Sequence, residues 1–134
     1  MERTTISSGT EWESHVGYSR AIRAGSHIHV SGTTATDENG DVVAPADPYA
    51  QTTYALELIS SALEEANASL EDVVRTRLYV TDIEEWEEIG QAHGDVFETI
   101  RPATSMVEVQ RLIDSAHCVE IEAVAIVDGH AEQT

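Results

Sequence analysis

The clearest periodic signal in the chain lies near its end. Over residues 118–127, Val119, Ile121, Ala123, Ala125 and Val127 alternate with Cys118, Glu120, Glu122, Val124 and Ile126. Strand side chains point to opposite faces in turn, so this pattern predicts a strand with one wholly apolar face. A shorter strand is predicted just before it, over residues 105–109, where Met106, Val107 and Val109 flank Glu108. Alternation and β-branched residues predict further strands over residues 3–8, 17–23, 26–32 and 75–81. The second and third of these make a hairpin across Ala24-Gly25. In the fourth, Thr76, Leu78 and Val80 face one way and Arg75, Arg77 and Tyr79 the other. Residues 9–13 read as a polar loop, and Asn39-Gly40 as a turn, since both residues tolerate positive φ.

Two stretches change to a spacing of three and four. Asp47-Pro48 has the form of a helix start, an acid at the N-cap and proline at the first helical position. Tyr49, Thr52 or Thr53, Leu56, Ile59, Leu63 and Ala66 then form one stripe. Ser69 and Asp72 have capping-box spacing before the next strand. Asp82 is placed to cap a second helix, whose buried face is Ile83, Trp86, Ile89, His93, Val96 or Phe97, and Ile100, until Pro102 stops it. The order is β-β-β-α-β-α-β-β in a single domain, residues 1–134. That predicts an α+β fold, a two-layer mixed sheet with two helices on one face. The other face keeps Val124 and Ile126, apolar surface that suggests self-association.

Charge narrows the function. There are 25 acidic residues against 7 arginines and no lysine, for a net charge of −18. Nucleic-acid binders neutralise phosphates with Lys and Arg, so this composition argues against such a partner. It fits a protein that stays soluble in strong salt, and a halophilic source is expected. The lone cysteine, Cys118, makes no internal disulfide and sits in an apolar strand, where a buried, inert thiol is expected. No apolar run approaches the ~20 residues of a membrane span, and no leader segment is recognisable, so a cytoplasmic location is expected. Residues 37–41 resemble the start of a calcium loop, but the position of the closing Glu holds Pro48. His27 and His29 share a strand face without a third ligand nearby, so no metal site is assigned. His93 falls on the buried helix face and reads as a core histidine. Glu120 and Glu122 share a strand face that leads to a cleft, an interface or solvent.

The stretch RPATSMVEVQRL, followed by VEIEAVAIV, resembles the C-terminal signature of the RidA/YjgF (reactive intermediate deaminase) family. The likeness continues through Gly17-Tyr18-Ser19-Arg20-Ala21, Val30-Ser31-Gly32 and Leu78-Tyr79-Val80-Thr81-Asp82. It implies a chorismate-mutase-like fold and a homotrimer with clefts between neighbouring subunits. It also implies cofactor-free hydrolysis of enamines or imines to a 2-oxo acid and ammonia. Carried over by position, Glu120 matches the family's water-activating glutamate, and Tyr18, Ser31 and Gly32 match residues that line the cleft. Thr104 stands where the family has the arginine that holds the substrate carboxylate, and Gly90 where an asparagine is often found.

Threonine makes no charged fork. A hydrogen bond to a charged group contributes about 1.5–3 kcal/mol and a neutral one about half that, so losing a fork weakens carboxylate binding a hundredfold or more. Arg101 and Arg20 are the candidates to take over the anion. Two readings follow: a deaminase with an altered site, or a non-catalytic trimer binding a small neutral or cationic molecule. The ribonuclease role attached to some relatives conflicts with the charge.

Overall fold

The computed structural model describes residues 1–128. Its frame is one mixed sheet of six strands in the order β1-β2-β3-β6-β4-β5. The strands are β1 (Arg3–Ile6), β2 (Ala21–Ala24), β3 (His27–Thr33), β4 (Val73–Val80), β5 (Ala103–Glu108) and β6 (Val119–Ile126). All neighbours are antiparallel except β4 and β5. The strand with the cleanest alternation, β6, lies inside the sheet between β3 and β4.

Two helices, α2 (Pro48–Glu65) and α3 (Trp86–Phe97), cover one face as the spacing predicted. Leu56, Ile59 and Leu63 of α2 and Ile89 and Phe97 of α3 pack with Ile28, Leu78, Val119 and Ile121 of the sheet in one core. Each such side chain contributes about 1.5–3 kcal/mol when fully buried, which fixes the helices to this face. The start of α2 has the expected form: Pro48 is at its first position, and the Asp47 carboxylate accepts from the Ala50 N–H at 3.0 Å.

Four details differ from the sequence pattern. Residues expected as a polar loop form a short helix, α1 (Glu11–Val16), closed by Gly17 at φ 90°. Its Glu13 accepts from the Ser8 N–H at 3.0 Å and from the hydroxyls of Ser8 and Thr10. Thr10-x-x-Glu13 followed by Gly17 is a helix start-and-stop pattern that the dominance of polar residues masks. Tyr49 is 40% exposed rather than part of the buried stripe, because its hydroxyl reaches Asp95 on α3. Trp86, at the first turn of α3, is 55% exposed. Asp82 caps not α3 itself but a 3-10 turn, Ile83–Glu85, that leads into it, accepting from the Glu84 N–H.

A further irregularity shapes the surface opposite the helices. Val30 pairs with Ala123 but Thr33 pairs with Ile121, so β3 carries one extra residue around Ser31 and Gly32. Such a bulge bends the strand and re-aims the side chains beside it.

Candidate functional site

The uncovered face of the sheet carries the polar chemistry. In register across β4 and β6, Tyr79 lies opposite Glu120 and Arg77 opposite Glu122, all four on this face. The bulge brings Gly32 of β3 against Glu120. A Cβ built on Gly32 would stand 2.2 Å from Glu120 Oε2 and 2.9 Å from its Cδ, so only glycine leaves the carboxylate where it is. Glu120 is half-buried there. Burial raises its pKa above the ordinary 4.5; Arg20 and His117 oppose the rise and Glu122 adds to it. The raised value holds a carboxyl that gains and loses a proton closer to neutrality than a surface glutamate does.

Glu122 is held differently. Its Oε1 accepts the Tyr79 hydroxyl at 2.9 Å and lies 3.8 Å from Arg77. The bond to this carboxylate is the main cause of a raised Tyr79 pKa. Two concavities meet at Glu122. The larger, about 430 Å³, runs across β1, β2 and β3 and is lined by Tyr18, Ser31, His29 and Arg77 among others. The smaller, about 360 Å³, is lined by Gly32, Tyr79, Val109, Arg111, Leu112, Glu120 and Glu122.

Most of the residues singled out in the sequence thus gather on one face. Tyr18 and Ser31 line the larger concavity, and the Ser31 hydroxyl is anchored to Ser19 O at 2.7 Å. Gly32 and Glu120 line the smaller one. Arg20 lines neither: its Nη2 donates to Gly32 O at 2.6 Å, and its buried Nε has no hydrogen-bond partner. Thr104 is not on this face. It pairs with Thr76, whose side chain points toward the helices, and the two hydroxyls are 2.8 Å apart. Thr76 in turn meets His93 Nε2 at 2.9 Å, and Thr104 reaches Pro102 O at 3.2 Å. His93 is therefore a satisfied, half-buried histidine whose pKa burial lowers. Arg101, with φ 55°, is exposed outside the edge of the sheet.

Other expectations resolve simply. Cys118 is buried, its thiol pushed up to about 11 chiefly by burial, and it faces Gln51 Oε1 at 3.0 Å. His27 and His29 are exposed and stacked, with ring centroids 6.4 Å apart. No group of three or more metal-ligating side chains occurs among the described residues. No helix among them is long and apolar enough to cross a membrane.

Sequence reasoning passed over Arg111, which lies in the irregular segment between β5 and β6 where no periodicity operates. It also passed over Gln51. That fully buried side chain ties the same segment to α2 through Ala116 O at 3.0 Å and the Cys118 N–H at 2.8 Å. A polar residue inside an otherwise apolar helix stripe was its available signal.

Comparison with known proteins identifies this architecture. A mixed sheet with two helices on one face and an open face on the other is the chorismate-mutase-like α+β fold of its structural neighbours. A Mycobacterium tuberculosis member of the YjgF/YER057c/UK114 family has a TM-score of 0.86 at 52% identity, covering 94% of this chain and 100% of that one. Escherichia coli TdcF, solved with bound serine, has a TM-score of 0.76 at 26% identity, covering 83% and 88%. The family model described as Endoribonuclease L-PSP matches residues 9–127. The 3-aminoacrylate deaminase RutC of Acinetobacter baylyi is 36% identical over 108 residues, 81% of this chain and 85% of its own. The chain belongs to the RidA/YjgF family.

Proposed function

We propose that this protein hydrolyses small imines or enamines to oxo acids and ammonia, with Glu120 handling the proton of the attacking water. The observation that carries this reading is Glu120 itself: a half-buried carboxyl, its pKa raised by burial, lying against Gly32 in a concavity. A group tuned toward neutrality is suited to take a proton from water and return it to a leaving amine. Water adds to the imine carbon, the C–N bond breaks, and nitrogen leaves as ammonia. The name of the Acinetobacter relative supports the reaction class, and the serine bound to the E. coli relative supports a ligand of amino-acid size.

The site is altered, because Thr104 brings a neutral hydroxyl where the family resemblance implies an arginine. Within one subunit Thr104 and Glu120 lie on opposite faces of the sheet. The homotrimer that the resemblance implies is the means of bringing such residues together across a subunit boundary. A ribonuclease activity, as in the description of the matching family model, fits less well. A chain of net charge −18 with two carboxylates in the concavity repels a phosphate backbone. The engagement of Thr104 with Thr76 favours a second reading, a trimer that binds a small molecule without turnover.

The test is release of ammonia and 2-oxo acid from 2-iminopropanoate generated in situ, in molar KCl, for the wild type and Thr104→Arg. Turnover by the wild type supports the deaminase. A silent wild type whose ligand-dependent melting shifts persist supports the binding protein. Silence of both proteins sinks the deaminase reading.

A further inference from the structure

The concavity beside Glu120 is lined by one arginine, Arg111, that pairs with no other described residue. Arg20 lines neither concavity: its Nη2 donates to Gly32 O, its buried Nε has no hydrogen-bond partner, and its charge acts on Glu120, while Arg77 faces Glu122. Arg111 lines the same concavity, exposed, and makes no hydrogen bond or ion pair among the described residues. Acids outnumber arginines 25 to 7 in this chain, so a guanidinium without a carboxylate partner is not for want of acids. Two carboxylates line the concavity with it, yet neither comes within ion-pair distance. The space between them is what a ligand would fill.

The walls describe that ligand. Val109 and Leu112 supply apolar surface beside Arg111, and Glu120 and the Tyr79–Glu122 pair supply polar groups. A guanidinium fork matches a carboxylate in shape and charge, whereas carboxyl and phenol groups suit a nitrogen, a carbonyl oxygen or a water. We infer that Arg111 is the carboxylate anchor of this site, and that the site takes short 2-oxo, 2-imino or 2-amino carboxylates with their carboxylate on Arg111. The inference rests on the reading of the Glu120 concavity as the substrate site. It replaces both arginines that the sequence offered, since neither Arg20 nor Arg101 lines the concavity. Gln51 is part of the device, because its bonds to Ala116 O and the Cys118 N–H fasten the segment that carries Arg111.

Pyruvate and its neutral amide, pyruvamide, separate the anchor from the chemistry, because neither requires turnover. Isothermal titration of both compounds into the wild type, Arg111→Gln and Arg111→Lys is the experiment. The wild type is expected to prefer pyruvate. Arg111→Gln should weaken pyruvate about a hundredfold, the loss of a charged fork, with pyruvamide unchanged and Arg111→Lys between the two. The proposal is overturned if Arg111→Gln binds pyruvate like the wild type, or weakens pyruvate and pyruvamide alike. It is equally overturned by a wild type that shows no preference for pyruvate or binds neither compound. Absence of ammonia release with Arg111-dependent pyruvate binding intact would remove the deaminase reading and leave the anchor standing.

Discussion

On one face of β6, Val119, Ile121, Ala123 and Ala125 are at most 2% exposed, packed under two helices. On the other, Glu120, Glu122 and Val124 are half-buried and Ile126 is 41% exposed. Beneath those helices the polar groups are bonded: Thr76, Thr104 and His93 share a short chain of hydrogen bonds, and Gln51 and Thr52 bond to backbone carbonyls. The other face carries carboxylates, arginines and a tyrosine that only partly satisfy one another. On the proposed function, one strand serves stability on one side and chemistry on the other, and the period of two keeps the tasks apart. Half-buried carboxylates at the centre of a sheet cost stability, because desolvation disfavours the charged form.

Substitutions on the two faces should therefore separate activity from stability. The largest effect is expected from Glu120→Gln, which keeps the shape and removes the titrating proton. Ammonia release should fall about 10²- to 10⁴-fold, the usual contribution of a general acid–base group, without loss of fold by circular dichroism. Ile59→Ala on the helix-covered face is the converse. Its cavity should cost about 2–5 kcal/mol in urea unfolding while turnover per folded molecule stays unchanged. An equal loss of turnover would show that the two faces are coupled.

A smaller effect belongs to Thr76→Val, which leaves His93 Nε2 and the Thr104 hydroxyl without their shared partner. The expected cost is about 1–3 kcal/mol, read from the same unfolding curves.

The smallest effect is one of pH. Because the folded state raises the pKa of Glu120, it holds that proton more tightly than the unfolded chain does. The stability penalty is absent below the unfolded value near 4.5 and grows as pH rises through the folded value. Glu120→Gln should melt a few degrees above the wild type at pH 7, the gap closing below pH 4. A gap independent of pH would mean that packing rather than ionisation is responsible.

How legible the molecule was in its sequence depended on the physics of each part. Alternation and helical spacing arise from local geometry, so the six strands and both covering helices could be read directly. The assignment of Glu120 and Glu122 to one face followed from the same rule, and register confirmed it through their pairing with Tyr79 and Arg77. The short helix α1 was missed because hydrophobic period carries no signal in a segment held by Glu13 hydrogen bonds to Ser8 and Thr10. Tyr49 and Trp86 were misplaced because the outer turns of a helix overhang the core.

The chain by itself determined the strand order along its length, the apolar face that receives the helices and the excess of acid. Those are properties of neighbouring residues and of composition. Only the tertiary structure decided what lies beside Glu120. The bulge at Ser31-Gly32 set a glycine against the carboxylate, register put Thr104 on the far face, and the irregular segment after β5 placed Arg111 in the same concavity. Such contacts join residues dozens of positions apart, and no local period records them.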